Sequence, residues 1–542
     1  MSEAPRQTAP RGVDTGVVGG GTCGAALAGI LAARSDRTVL LIEAGPDWGP
    51  LADGRWPAEL LDPTLMPVAD WEWAYISAAQ YGSPEMPLQR ARMIGGCSSH
   101  NGCAAVWGHR ADYDAWEAAG NPGWGAAAME PRLREADAAL RVQQPTREEV
   151  TPWHRLCLDA APGAGLPVIP SVEDLDAAFG IAIHAVNIAD RLRWNAAFAY
   201  LDPVRARPNF AILPETLVDR LRFDGTRCAG VEVGNAAGRQ QIAARQVILA
   251  GGAFGSPLIL LRSGVGPADE LRSLGIAPVL DLLGVGRNLQ DHPAFAVRFG
   301  GTSALLEEMD AFVAAGGLPR EEGTTALARS SRCEGPFDLH LYPVGSRPWG
   351  DEGWRFAISA AVMDPHSTGT VRLAAAAPEA PPIIDPGWFT DPAGRDLEVL
   401  LDGVEQARAL AAQLPLRDVI GAELGDAPAD RDALREHVLR HSTHDYHPVG
   451  TCKMGPASDP LAVVDARGRV HGLEGVFVAD AAIMPAVPRA NTNIPALAVA
   501  LNVAAVNALT PRPSPAAAGE GRRTPRQAII SPRPSQWERG WG

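Results

Sequence analysis

The chain has 542 residues and a mass of 57.1 kDa; 46% of the residues are apolar and 20% charged. Its net charge of −15 argues against sequence-independent nucleic-acid binding, which needs lysine and arginine to displace counterions. At about 150 residues per domain, the length accommodates roughly two to four domains, or one large core with a cap.

Lys453 is the one lysine in the sequence, so lysine-rich targeting patches are excluded and Schiff-base chemistry has a single candidate. The seven cysteines (Cys23, Cys97, Cys103, Cys157, Cys228, Cys333 and Cys452) are scattered and contain no C-x-x-C pair. That pattern supports neither a disulfide framework nor a structural zinc site. The first eleven residues are polar and proline-bearing, without the apolar stretch of a signal peptide. The longest apolar run, 494–509, is interrupted by Asn502 and Asn507 and reads as a buried helix rather than a membrane span. A cytoplasmic protein is expected.

In chain order, residues 13–18 read as a buried strand, 19–24 as a glycine loop, 25–34 as an alanine- and leucine-rich helix, and 38–42 as a second strand ending at Glu43. Gly19, Gly21 and Gly24 form G-x-G-x-x-G. The three glycines permit, in turn, a tight bend, close approach of backbone to a pyrophosphate, and tight packing of helix on strand. The helix N-terminus offers N–H groups and partial positive charge to phosphates. Glu43 suits ribose hydroxyls and repels a 2′-phosphate, which disfavours NADP; the motif alone leaves FAD and NAD both open.

Residues 48–92 are irregular, rich in proline, and carry Trp48, Trp56, Trp71 and Trp73; a long aromatic loop of this kind reads as a lid over a cleft. Residues 217–223 and 229–233 read as a hairpin, and 246–250 as a further apolar strand before a second glycine cluster. From 511 to 542 the chain holds six prolines, six arginines and two glutamates, the composition of a disordered tail.

Further motifs follow in order: G-G-C-S-S-H-N-G at 95–102, G-A-F-G-S-P at 252–257, S-G-V-G-P at 263–267, G-V-G-R-N-L-Q-D-H at 284–292, Y-H-P-V-G-T at 446–451, V-A-D-A at 478–481 and N-T-N at 491–493. Together they resemble the glucose–methanol–choline (GMC) family of FAD-dependent alcohol oxidoreductases over about residues 12–509, with 95–102 most similar to the choline oxidase branch. The resemblance implies an α/β (α+β) architecture. A Rossmann-like FAD domain would be assembled from 12–155, 213–300 and 440–509. The substrate-binding domain, inserted as 156–212 and 301–439, would stand on an antiparallel sheet.

The resemblance also implies roles. FAD would contact Gly96, Asn101, Gly102, Val218, Asp480, Ala481 and Asn493 besides the glycine turn and Glu43. His100 matches the histidine that carries the flavin through a bond to its 8α carbon. A neutral imidazole is a good nucleophile near pH 7, so proximity and orientation suffice for attachment. His447 matches the family's active-site histidine and Asn491 its partner. Oxidising an alcohol requires removal of the hydroxyl proton and departure of a hydride. An imidazole in hydrogen-bond reach supplies the first, its partner holds the same oxygen, and flavin N5 receives the hydride.

On the substrate side, His340 or Tyr342 is expected to face the substrate, and Tyr446 with Trp56 matches an aromatic cage for a quaternary ammonium. Several features depart from choline oxidases: Asp445 replaces an apolar residue, Gly102 a serine, and no tryptophan accompanies Glu307 and Glu308. The partners implied are a small alcohol and molecular oxygen or another electron acceptor, with a homodimer as the branch's habit. Two rivals stand beside this reading. A non-catalytic flavoprotein on the same fold is opposed by the retention of His447 and Asn491. A metal site made by His441, His444 and His447 with Asp445 on one helical face is opposed by Pro448, which breaks the helix there; no metal is expected.

Overall fold

A computed structural model describes residues 12–66, 71–81, 85–347 and 353–508; the tail expected at 511–542 lies outside the described residues. Two seven-stranded sheets organise the chain. In the first, Phe210–Leu213, Val39–Ile42, Gly12–Val18 and Gly238–Leu249 run parallel in that order. Val39–Ile42 is buried at every position, as an apolar run covered on both faces must be. Gly238–Leu249 is long enough to serve several neighbours. Its first half pairs antiparallel with Arg227–Asn235, which turns back into Leu217–Asp224, and its end pairs parallel with Val476–Val478.

The expected βαβ start is present with the helix begun earlier, at Thr22–Arg34. That helix is apolar all round and is correspondingly buried. Against it packs Asn493–Ala508, where the Cys23 thiol donates to the carbonyl of Ala496 at 3.2 Å. All seven cysteines are free thiols, and among the described residues no helix is long and apolar enough to cross a membrane. Residues 197–213 lie with this first sheet: the helical turn Ala197–Leu201 packs on Thr22–Arg34, and Phe210–Leu213 supplies the edge strand.

The second sheet is antiparallel, in the order Ile420–Leu424, Pro293–Gly301, Arg355–Val362, Leu339–Ser346, Thr324–Ala328 and Gly180–Ile183, with Thr443–His444 also paired to Pro293–Gly301. Helix Arg395–Ala411 covers it, burying Leu397, Leu400, Leu401, Val404 and Ala407, a spacing that lays one apolar stripe along the helix. Pro293–Gly301 and Thr443–His444 place the residues at their ends, His292 and Asp445–His447, beside the glycine-rich edge of the first sheet. The functional cleft opens there, beyond the carboxyl ends of parallel strands.

Candidate active site

Gly12–Val18 ends in a turn that only glycine fits. A Cβ at Gly24 would overlap the carbonyl oxygen of Gly19, and one at Gly96 would come within 2.5 Å of the Gly21 Cα. Helix Thr22–Arg34 has no side chain capping its N-terminus, so its first N–H groups face the cleft free of side-chain partners. Glu43, which lines the cleft with Gly19, fixes the turn by accepting from the amides of Gly20 at 2.7 Å and Gly45 at 2.8 Å. Burial pushes its carboxyl up, against the pull of those amides. Across the cleft, Asp480 accepts from the Ser256 hydroxyl at 2.6 Å and from the amides of Gly252 and Ala482, both at 2.8 Å. Gly21, Gly96, Asn101, Gly102, Ala481 and Asn493 line the same cleft, and Asn493 Nδ2 is buried without a hydrogen-bond partner.

A second cluster sits where the two sheets meet. His447 and Asn491 line the cleft together, joined by Asp445, Tyr446 and Glu322. The backbone amide of His447 donates to Asp291 Oδ1 at 2.8 Å, which fixes the loop. Its Nδ1 lies 3.0 Å from Nδ1 of His292 and 3.4 Å from Asp445 Oδ2. Burial, then the neighbouring His292, holds the His447 imidazole well below its ordinary pKa, so the ring is neutral at physiological pH. The Asp445 carboxyl is pushed well above the usual range by burial and by the neighbouring carboxyls of Glu322 and Asp291. Glu322 is raised to about 7 by burial and by the carboxyl of Glu321. Asn491 Oδ1 accepts from the Tyr342 hydroxyl at 3.4 Å, and that hydroxyl is 2.6 Å from His340 Nδ1.

A third cluster flanks the turn Gly96–Ser99. His100 Nδ1 is 3.2 Å from Glu72 Oε1, with both side chains about 10% exposed. Cys97 lies beside the same ring. Burial alone would lower the imidazole and raise the thiol. The contacts outweigh it, lifting His100 to about 9 and drawing Cys97 down to about 6.

Several expected residues sit elsewhere. Trp56 is not in the cleft: it packs on Trp48 and Phe198 with ring centroids 5.0 and 4.8 Å away, and its Nε1 donates to the Gly49 carbonyl. Apolar area found a core instead of a ligand. Trp48 and Trp71 belong to the same cluster, and of the four tryptophans Trp73 alone lines the cleft. Val218 is buried in its strand, away from the cleft lining, with its carbonyl accepting from Arg262. His340 and Tyr342 stand behind Asn491 rather than on the cleft wall. Glu307 and Glu308 are exposed on helix Ser303–Ala314, while the unforeseen Glu322 takes a place beside His447. His441 ends helix Arg431–His441 with its ring on the His437 carbonyl, and His444 bonds the Pro87 carbonyl, so the HxxHDYH histidines share no helical face. The residues that do converge are His292, Asp445 and His447, whose polar atoms lie within 4.8 Å of one another.

Two GMC oxidoreductase family models match the sequence, over residues 13–294 and 365–500. The chain belongs to the GMC oxidoreductase family. Choline oxidase from Arthrobacter globiformis is 33% identical over 507 residues, covering 88% of this chain and 91% of that one. The 5-(hydroxymethyl)furfural oxidase of Methylovorus sp. (strain MP688) is 33% identical across 90% of this chain and 97% of its own. Among solved structures, pyridoxine 4-oxidase from Mesorbium loti superposes with a TM-score of 0.81 at 29% identity, covering 91% of this chain and 98% of that one.

As a GMC oxidoreductase the protein binds FAD and oxidises CH–OH donors. The cleft fits that cofactor: a turn in which a Cβ at Gly19, Gly20 or Gly24 would clash, an uncapped helix N-terminus for the pyrophosphate, and the orphaned Asn493 amide for a further polar group.

Proposed function

We propose that this GMC oxidoreductase oxidises a small alcohol to its aldehyde or ketone, with His447 as the base and Asn491 as its partner on the substrate oxygen. FAD, when bound, supplies the acceptor for the hydride. The observation that carries the reading is the 3.0 Å contact between His447 and His292 through Nδ1, which leaves Nε2 of the cleft-lining His447 ring free. Its depressed pKa keeps the ring neutral, and donation from Nδ1 to His292 is the tautomer that leaves the Nε2 lone pair available. A proton taken there makes an imidazolium, whose charge the Asp445 carboxyl, 3.4 Å from Nδ1, offsets when it is ionised. Asn491 has its carbonyl oxygen engaged by Tyr342, which leaves the Nδ2–H groups to donate to the substrate oxygen.

The substrate reading follows from Glu322 and Asp445, two carboxyls in the cleft that a cationic group would ionise and pair. An amino alcohol satisfies them; a neutral primary alcohol offers them no counter-charge. Choline oxidase activity proper is the alternative, supported by the relatives in that branch and weakened by the position of Trp56. The substrate domain we assign to the half built on the antiparallel sheet, with 197–213 joining the FAD half. His100, on the cleft wall, carries the flavin covalently in this reading.

The test is anaerobic mixing of the holoenzyme with ethanolamine, choline, benzyl alcohol and 5-(hydroxymethyl)furfural while flavin absorbance is followed. Bleaching fastest with a cationic alcohol supports the reading. Bleaching confined to the neutral alcohols removes the role of Glu322 and Asp445, and none with any alcohol removes the proposed substrate class.

A further inference from the structure

We propose that Glu72 is the positioning residue for attachment of the flavin to His100, holding Nδ1 so that Nε2 is the bond-forming nitrogen and accepting the Nδ1 proton as the imidazole is alkylated. The proposal rests on the reading of His100 as the attachment residue and adds the group that acts through it.

The geometry is specific. Glu72 does not line the cleft; His100 does, and Glu72 stands behind it at 3.2 Å from Nδ1. The carboxylate is held in turn. Its other oxygen accepts from the Arg90 amide at 2.5 Å, and the backbone at Glu72 bridges to Ala91, so two stretches of the lid pin it. His100 closes the turn Gly96–Ser99, its amide donating to the Cys97 carbonyl at 3.3 Å. A carboxylate on one ring nitrogen fixes the tautomer and raises the basicity of the other.

The chemistry balances. Once the ring has passed its extra proton to the Cys97 thiolate, Nε2 gives its lone pair to the 8α carbon as one C–H bond of that methyl group breaks, leaving its electron pair in the ring. The electron acceptor of normal turnover removes that pair. Two protons leave in all, one from the methyl group and one from Nδ1, and Glu72 is placed to take the second. Substituting Nε2 with Nδ1 still protonated would otherwise leave a cation buried in the cleft, a costly product without a carboxylate beside it.

Cys97 is the competing nucleophile on the same turn. The contacts that lift His100 also favour its thiolate.

The experiment compares wild type, Glu72→Gln, Glu72→Ala and His100→Ala, each full-length chain produced under limited riboflavin and then loaded with FAD. Two quantities are read: total flavin bound, and the fraction kept in an acid-precipitated pellet against time. Wild type should retain its flavin. Glu72→Gln should bind FAD in equal amount and attach it about 100-fold more slowly, and added formate should speed attachment in Glu72→Ala. Attachment in Glu72→Gln at the wild-type rate, or no response of Glu72→Ala to formate, overturns the role of Glu72 alone. A wild type that releases its flavin, or a His100→Ala protein that keeps it through Cys97, overturns the His100 reading itself.

Discussion

The Nδ1 atoms of His292 and His447 lie 3.0 Å apart, with both rings buried. Burial drives both imidazoles down, His292 to about 3, so the pair shares a single proton between its facing nitrogens. If His447 donates, its Nε2 carries a lone pair and is a base. If His292 donates, Nε2 of His447 carries a hydrogen and is not. Removing His292 unlocks that choice. His292→Ala should lower kcat by about 10–100-fold with FAD content unchanged, as steady-state rates and the ratio of flavin to protein absorbance will show.

Tyr342 acts one step further back. Its hydroxyl donates to Asn491 Oδ1 and meets His340 Nδ1. Tyr342→Phe removes a hydrogen bond worth about 0.5–1.5 kcal/mol and leaves the shape of the site. The expected outcome is a loss of kcat/KM of about 2–10-fold, smaller than for Asn491→Ala. Equal losses would mean that Tyr342 contributes more than orientation of the carboxamide.

Cofactor binding depends on the contact between two glycines. A Cβ at Gly96 would come within 2.5 Å of the Gly21 Cα, backbone against backbone with no flexible side chain to yield. Gly96 also has a positive φ of 53°, so alanine is strained there as well. Gly96→Ala should be purified largely colourless, with a flavin-to-protein absorbance ratio well under that of wild type.

His154 offers a pH test away from the cleft. It is fully buried, and burial brings its pKa to about 3. The unfolded chain binds a proton at this residue below about pH 6.5 while the folded chain does not. This contribution is therefore intact above that pH and is lost as pH falls toward the folded value. Between pH 7 and 5 the loss amounts to about 2 kcal/mol at about 1.4 kcal/mol per pH unit. The urea midpoint of His154→Gln should accordingly fall less than that of wild type over the same interval. A parallel fall would mean that His154 is protonated in the folded state.

The parts of the site legible in the sequence are those written as contiguous motifs. Gly19 and Gly21 line the cleft as the spacing of their turn implies, and His447, Asn491 and Asp480, implied by the family resemblance, line it too. Glu72 and Glu322 were not legible, because each meets its partner through pairing of distant segments: Glu72 through the bridge to Ala91, Glu322 through the bridge to Val344. His292 closes the G-V-G-R-N-L-Q-D-H motif, and nothing in the local sequence shows that its ring meets His447. Trp56 shows the converse limit: aromatic character announces burial but not which side of a wall the ring will choose. In the fold, the edge strand Phe210–Leu213 is marked by no motif of the sequence, whereas a glycine turn marks the βαβ start and a two-residue turn the hairpin of Leu217–Asp224 with Arg227–Asn235.

The most direct test of the account is the rate at which an alcohol reduces the flavin of His447→Ala under anaerobic stopped flow. The account predicts FAD bound at wild-type stoichiometry and reduction slowed by about 10²–10⁴-fold, recovering in part as pH rises and the substrate hydroxyl loses its proton unaided. Reduction at the wild-type rate, with flavin still in place, would contradict His447 as the base.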